Sequence, residues 1–179
     1  MPVTRLLFIV LMTLAGAAMG NESNRLVPSE PEAWGAAPSV VRVGNLFIAG
    51  DLDDASLDRA RSEGVRTVIN LLSEDELAKA TWEEAPAVAE RGMTYHHVPV
   101  SGAFQADQFE QVEAILAEQE ALPALVHCAS GNRAAGWLAT HLVLKHGLTV
   151  DEAIAVARKS GITKDAAEQA ARAYLLTTQ

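Results

Sequence analysis

Apolar residues fall in short blocks whose spacing switches between the period of a strand and that of a helix. Val40 to Val43, then Gly44-Asn45, then Leu46 to Ile48 predict a short hairpin. Asp53 or Asp54 can cap a helix that carries Leu57 and Ala60 and stops at Gly64. The run 65–72, VRTVINLL, has the length and near-continuous apolarity of a strand covered on both faces. Thr81 with Glu84 fits a capping box for a helix running toward Gly92, with Pro86 as a kink point. Residues 93–100, MTYHHVPV, predict a further strand. Phe109, Val112 and Leu116 mark one face of a helix over 107–121, with Glu110, Glu113, Glu118 and Glu120 facing outward. After Pro123, residues 124–127 read as a short strand. The helix that follows, over 133–146, is apolar nearly all round and so belongs in the interior. Thr149 with Glu152 gives a second capping box, and Thr163 starts a last helix ending near Leu176. Strands alternating with helices imply an α/β sandwich, its central sheet mostly parallel and flanked by helices.

The ends of the chain modify this picture. Arg5 precedes the apolar run 6–15, LLFIVLMTLA, and small residues follow through Gly20. This is the pattern of a signal peptide over 1–20, and the run is too short to span a membrane comfortably. The expectation is an exported protein, periplasmic or secreted in a bacterium, with no stable membrane insertion after cleavage; an uncleaved anchor is the alternative. Residues 21–38 hold Pro28, Pro31 and Pro38 among polar residues and read as an extended arm, which leaves 39–177 as one domain. Net charge is -9, and removing Arg5 with the leader makes it -9 - 1 = -10. That balance argues against a nucleic-acid partner or an anionic membrane surface. One cysteine in 179 residues excludes an intrachain disulfide and any cysteine-based metal cluster. His96 and His97 are adjacent on a strand, so they point to opposite faces and do not converge on a metal; no cofactor is expected.

The chemistry concentrates in 124–133, ALVHCASGNR, where a strand hands over to a helix. In an α/β sheet, function gathers beyond the carboxyl ends of the strands. A helix N-terminus offers unpaired N–H groups and about half a positive charge, which favours both a thiolate and a bound oxyanion. Gly131 lets successive amides turn inward as a nest, and Arg133 supplies a planar fork that matches two oxygens of a phosphate or sulfate. An isolated cysteine is usually a small buried hydrophobe. Cys-x-x-Gly-x-Arg at this position points instead to anion chemistry.

The segment HCASGNR resembles the signature His-Cys-x-x-Gly-x-x-Arg-Ser/Thr of the cysteine-dependent protein tyrosine and dual-specificity-like phosphatases. VINLL at 68–72, YHHVPV at 95–100 and the HC loop follow in that family's order, and the likeness is greatest to the phosphatase-like domains of bacterial beta-lactamase hydrolase-like proteins. The resemblance covers about residues 39–176 and implies the phosphatase-like fold of the protein tyrosine phosphatase superfamily. It implies that Cys128 attacks phosphorus and forms a phosphocysteine. Arg133 and the amides of Ala129, Ser130, Gly131 and Asn132 then bind the phosphoryl oxygens. His127, grouped with these binding residues, orients the loop and favours the thiolate, unless it is simply a core histidine. The family's general acid sits on the loop after the YHHVPV strand, and Asp107 is the only acid between Ser101 and Asp107; it reads equally well as a helix-start residue. Phe104 on that loop is placed to line a pocket mouth.

Three departures bear on turnover. Arg133 is five positions after Cys128 instead of six, the loop length of rhodanese-type sulfurtransferases. Residue 134 is Ala, where the family has a hydroxyl that helps break down the intermediate. Ser101 stands where an acid would follow VPV. The expected activity is hydrolysis of a phosphate monoester, on a phosphorylated protein or a small ester. Sulfur transfer and a catalytically feeble phosphate- or phosphopeptide-binding module are the alternatives.

Overall fold

A computed structural model describes residues 26–178; the segment 1–20 expected to be a leader and the start of the arm lie outside the described residues. The later part of the arm is not a free extension. Glu32–Trp34 (β1) pairs antiparallel with Ala37–Val43 (β2), and Trp34 is buried against Phe47. An indole that size is worth more under the sheet than in water, so the arm is drawn onto the edge. β2 turns at Gly44-Asn45 into Leu46–Ala49 (β3), the expected hairpin.

From β3 onward the sheet is parallel. The remaining strands are Thr67–Asn70 (β4), Thr94–His97 (β5) and Ala124–His127 (β6), and the order is β1-β2-β3-β6-β4-β5. β6 therefore lies in the middle, paired parallel with β3 and β4, and every one of its residues is buried. This explains its short apolar sequence: a central parallel strand has no wet face. Alternation along β6 sends Leu125 to one face and Val126, with Cys128 beyond it, to the other.

The helices divide between those faces. Asp54–Ser62 (α1) and Glu84–Glu90 (α3) cover the Leu125 face through Leu57, Ala60, Ala87 and Val88, with the short Glu74–Leu77 (α2) between them in sequence. Ala106–Leu116 (α4), Asn132–His146 (α5), Val150–Lys159 (α6) and Asp165–Thr177 (α7) cover the other. α5 is buried as its composition requires: Ala134, Ala135, Trp137, Leu138 and Ala139 have no exposed surface. Its small residues let α6 and α7 pack close on either side. Asp53 caps α1, and the Thr149–Glu152 box caps α6. No helix among the described residues is long and apolar enough to cross a membrane.

Three local expectations need correction. Thr81 does not cap a helix with Glu84: α3 begins at Glu84 itself, and its carboxylate is spent on Asn70. Pro86 causes no kink, because it stands in the first turn of α3, where its missing N–H has no intrahelical acceptor to lose. The strand at 93–100 is also shorter than its apolar run: it ends at His97, and beyond one bond from the Val98 amide to the Asn70 carbonyl at 2.9 Å residues 98–100 leave the sheet.

Candidate active site

Cys128 leaves the end of β6, and four residues later α5 begins. The turn between them works because Gly131, the residue before α5, takes a left-handed φ of 78°, which costs a residue without Cβ almost nothing. Gly131 also lies close to the β3 end, where an added Cβ would stand 3.5 Å from the Ala49 carbonyl oxygen. α5 runs for 15 residues, so its unpaired N-terminal amides and aligned peptide dipoles face this loop.

The loop is anchored from outside by Asn132. Its Oδ1 accepts from the Thr163 and Lys164 amides at 2.9 and 3.0 Å, and its Nδ2 donates to Thr163 Oγ1 at 3.1 Å. Asn132 thereby ties the anion loop to the start of α7. Its side chain is structural, even though the residue also borders the cavity.

Arg133 turns from the first turn of α5 across the mouth of the loop. Its Nη1 donates to the Leu71 carbonyl at 3.1 Å, the Val100 carbonyl at 2.7 Å and Glu76 Oε2 at 2.7 Å, while Nη2 donates to Glu76 Oε1 at 2.8 Å. The fork is thus held bidentate by one carboxylate, the geometry for which guanidinium is better suited than ammonium. Burial works against the Arg133 charge. The hydrogen bonds to Glu76 and the charges of Cys128 and Glu76 beside it outweigh burial, so the guanidinium is held above its ordinary value.

Glu76 is the residue the sequence reading missed. It sits in α2, whose Ser73–Glu76 capping box fixes its backbone. The hydrogen bond from Arg133 is the largest influence on it; burial opposes, and Ser73 adds to the lowering. The carboxyl is brought from 4.5 down to about 2. Because the folded-state value is depressed, its stabilising contribution is complete above the unfolded value and is lost as pH falls from about 4.5 toward 2. The side chain is 38% exposed, so solvent screens much of that contribution. Urea unfolding at a series of pH values is expected to show a shallower loss of stability across this window in Glu76→Gln than in the parent protein.

A cavity of about 820 Å³ opens over the loop. Ala129, Ser130, Asn132 and Arg133 form one end, Ser101 to Phe104 one wall, and Ala167, Ala171 and Tyr174 of α7 the other. Phe104 is therefore a wall residue, as its loop position suggests. Cys128 lies beneath the loop with no exposed surface. Asp107 stands exposed in the first turn of α4, outside the residues that line the cavity. His127 is also outside it. Its ring is 1% exposed and faces α3, where Nε2 lies 2.8 Å from Glu84 Oε1. It stands behind the loop and does not reach a bound phosphoryl group. Of the adjacent histidines, His97 bonds through Nε2 to the Leu72 carbonyl at 2.7 Å. No group of three or more metal-ligating side chains occurs among the described residues.

The profile of the family described as beta-lactamase hydrolase-like protein, phosphatase-like domain, matches residues 41–144, more than half of the chain. No curated protein matches the chain. Among solved structures, Tk-PTP in its active form superposes with a TM-score of 0.62 at 18% identity, covering 76% of this chain and 94% of its own. P. aeruginosa TpbA does so with a TM-score of 0.63 at 16% identity, covering 78% of this chain and 84% of its own. At this identity the likeness is one of fold, and the fold is that of the protein-tyrosine-phosphatase-like phosphatases.

Proposed function

The chain belongs to the beta-lactamase hydrolase-like protein, phosphatase-like domain family, and from that premise we propose that it hydrolyses phosphate monoesters through a phosphocysteine on Cys128. The observation that carries this reading is the placement of Cys128 at the end of β6, just before the N-terminus of α5, with Arg133 in the first turn of that helix. A nucleophile, a guanidinium and a set of unpaired amides converge there on one point. In the first step Sγ attacks phosphorus and the ester oxygen leaves with its electron pair. In the second, water attacks the phosphocysteine and releases inorganic phosphate and the thiolate. The loop amides and Arg133 hold the equatorial oxygens through both steps, where charge on them is greatest.

The leaving oxygen needs either a proton or an intrinsically stable anion. Glu76 is the one carboxylate among the described residues that line the cavity. Held at about 2, it carries no proton to give at neutral pH. The site is therefore suited to esters whose alcohol departs as a stable oxyanion, aryl phosphates before alkyl ones. Phe104 and Tyr174 provide aromatic walls for such a group. A structure of P. aeruginosa TpbA was solved in complex with pTyr, which supports phosphotyrosine, in a peptide or protein, as the substrate class here. The leader over 1–20 supports an exported location for the reaction.

The test is hydrolysis of an aryl phosphate by the purified protein. Steady release of phosphate supports the proposal; phosphate binding without release, or sulfur transfer from thiosulfate onto Cys128, would replace it. Asp107→Asn separates the two readings of that residue. A general acid contributes about 10²–10⁴-fold, whereas a helix-start residue outside the cavity contributes nothing to the reaction. We expect kcat for the aryl ester to change by less than about twofold, far below the smallest general-acid effect.

A further inference from the structure

The cavity is larger than a phosphoryl group and one aromatic ring require. Its volume of about 820 Å³ is in the range that holds a drug-sized molecule. The charged residues among the described lining, Glu76, Arg133 and Lys164, gather at one end. Arg133 and Glu76 stand over the loop, and the Lys164 amide is tied there by Asn132 Oδ1 at 3.0 Å. From Lys164 the lining follows α7 through Ala167, Ala170 and Ala171 to Tyr174. These positions span ten residues of chain, so this wall extends for about 15 Å.

Along that length the groove is apolar and narrow-walled. The α7 side chains that line it are alanine until Tyr174, and Gly136 and Thr140 of α5 line it as well. The Thr140 hydroxyl donates to the Gly136 carbonyl at 3.3 Å, so its proton is not offered to a ligand. Alanines that served only helix packing would be fully covered by neighbours. Ala167 and Ala170 are half-buried, and what they face is the cavity. Tyr174 closes the far end, its ring held 5.9 Å from that of Phe109 in α4. Burial first, then the charges of Glu110 and Asp107, push its phenol up and keep it neutral. The far end therefore offers apolar surface with negative charge near it, which disfavours a second anion.

We propose that this groove is the subsite for the leaving group, and that it selects aryl phosphates carrying an uncharged, apolar extension beyond the first ring. The proposal deepens the aryl-phosphate reading and rests on it. A flat apolar group lying along α7 covers the alanine methyls, and the water released from both surfaces supplies the preference. A carboxylate in the same place would lose its water and meet no counter-charge. Ala170, about two turns beyond the loop end of α7, is the specificity-determining position, because any larger side chain there shortens the groove.

The test compares ligands that differ by one ring. Phenylphosphonate and para-biphenylphosphonate are not hydrolysed, and both are titrated calorimetrically into the parent protein. The longer ligand is expected to bind at least about tenfold more tightly, the effect of burying most of a second ring; equal affinities overturn the proposal. A carboxylate on the outer ring should cancel that gain, and an acid that binds as tightly as the neutral ligand also overturns it. Ala170→Leu, with folding checked by circular dichroism, should collapse the ratio of the two affinities toward one, and an unchanged ratio in the folded variant overturns the assignment. Phosphotyrosine peptides flanked by leucine or by glutamate then identify the source of the extension. A leucine preference that Ala170→Leu removes assigns the groove to a peptide substrate, and a preference confined to the biphenyl ligand assigns it to a small ester. The phosphonate titrations need no turnover. A preference for the longer ligand in a protein that releases no phosphate from any ester would sink the hydrolytic reading and leave the groove standing; steady hydrolysis with no ligand preference would do the reverse.

Discussion

Cys128→Ser is expected to abolish turnover of an aryl phosphate, with kcat falling by at least about 10³-fold, while phosphate binding survives. The argument is one of ionisation. The loop amides and Arg133 can stabilise an anion on sulfur, because a thiol lies within their reach near neutral pH. A serine hydroxyl is far less acidic, and the same surroundings leave it protonated and feebly nucleophilic. The cradle itself is backbone and guanidinium, so the substitution leaves its donors in place. Cys128 has no exposed surface and oxygen is smaller than sulfur, so the fold tolerates the change. Isothermal titration with inorganic phosphate and a steady-state assay on the same preparation check both halves. Loss of binding together with turnover would mean that the loop had collapsed and would leave the nucleophile untested by this variant; retained turnover would remove Cys128 from the chemistry.

The second large effect is expected at Arg133. Arg133→Lys keeps the charge and loses the fork. Arg133 makes four hydrogen bonds to three elements, two of them to one carboxylate in parallel. A lysine ammonium can satisfy no more than part of that set from a single point. The Leu71 and Val100 carbonyls and one oxygen of Glu76 would be left unpaired. We expect kcat/KM to fall by about 10²–10³-fold, the usual effect of removing one transition-state donor, with kcat carrying most of it. Thermal unfolding should shift down as well, since Arg133 is only 17% exposed and joins α5 to α2 and to the chain after β5. A lysine variant with parental kcat/KM would show that charge alone suffices and that the planar fork is incidental.

Much of this architecture can be read from residue order alone, for identifiable reasons. β6 is bounded by Pro123 and by the loop glycine, and its three apolar positions before His127 leave little choice but a buried central strand. The caps of α1 and α6 are local contacts over three residues, so spacing reveals them. Cys128 and Arg133 lie five positions apart across one strand-to-helix turn, where sequence neighbours are also neighbours in space. The readings that fail are those settled by distant contacts. α2 has no buried residue and four residues in all, so it leaves no hydrophobic period; its Ser73-x-x-Glu76 box was the available signal. Glu76 meets Arg133 across 57 positions of chain, which no local pattern encodes. Glu84 shows the opposite error. Three residues after Thr81 it has the spacing of a cap, but Asn70, 14 positions away, claims its carboxylate. The N-terminal arm has the composition of an extended polar segment, and the burial of Trp34 under the sheet turns part of it into an edge strand.

The central claim is that phosphorus passes through a covalent bond to sulfur. Rapid acid quench of the parent protein during turnover of an aryl phosphate, followed by peptide mass spectrometry, tests it at the atom concerned. The account predicts a phosphoryl mass increment on the peptide that carries Cys128, formed on the timescale of turnover. Sustained hydrolysis with that peptide never modified would contradict it.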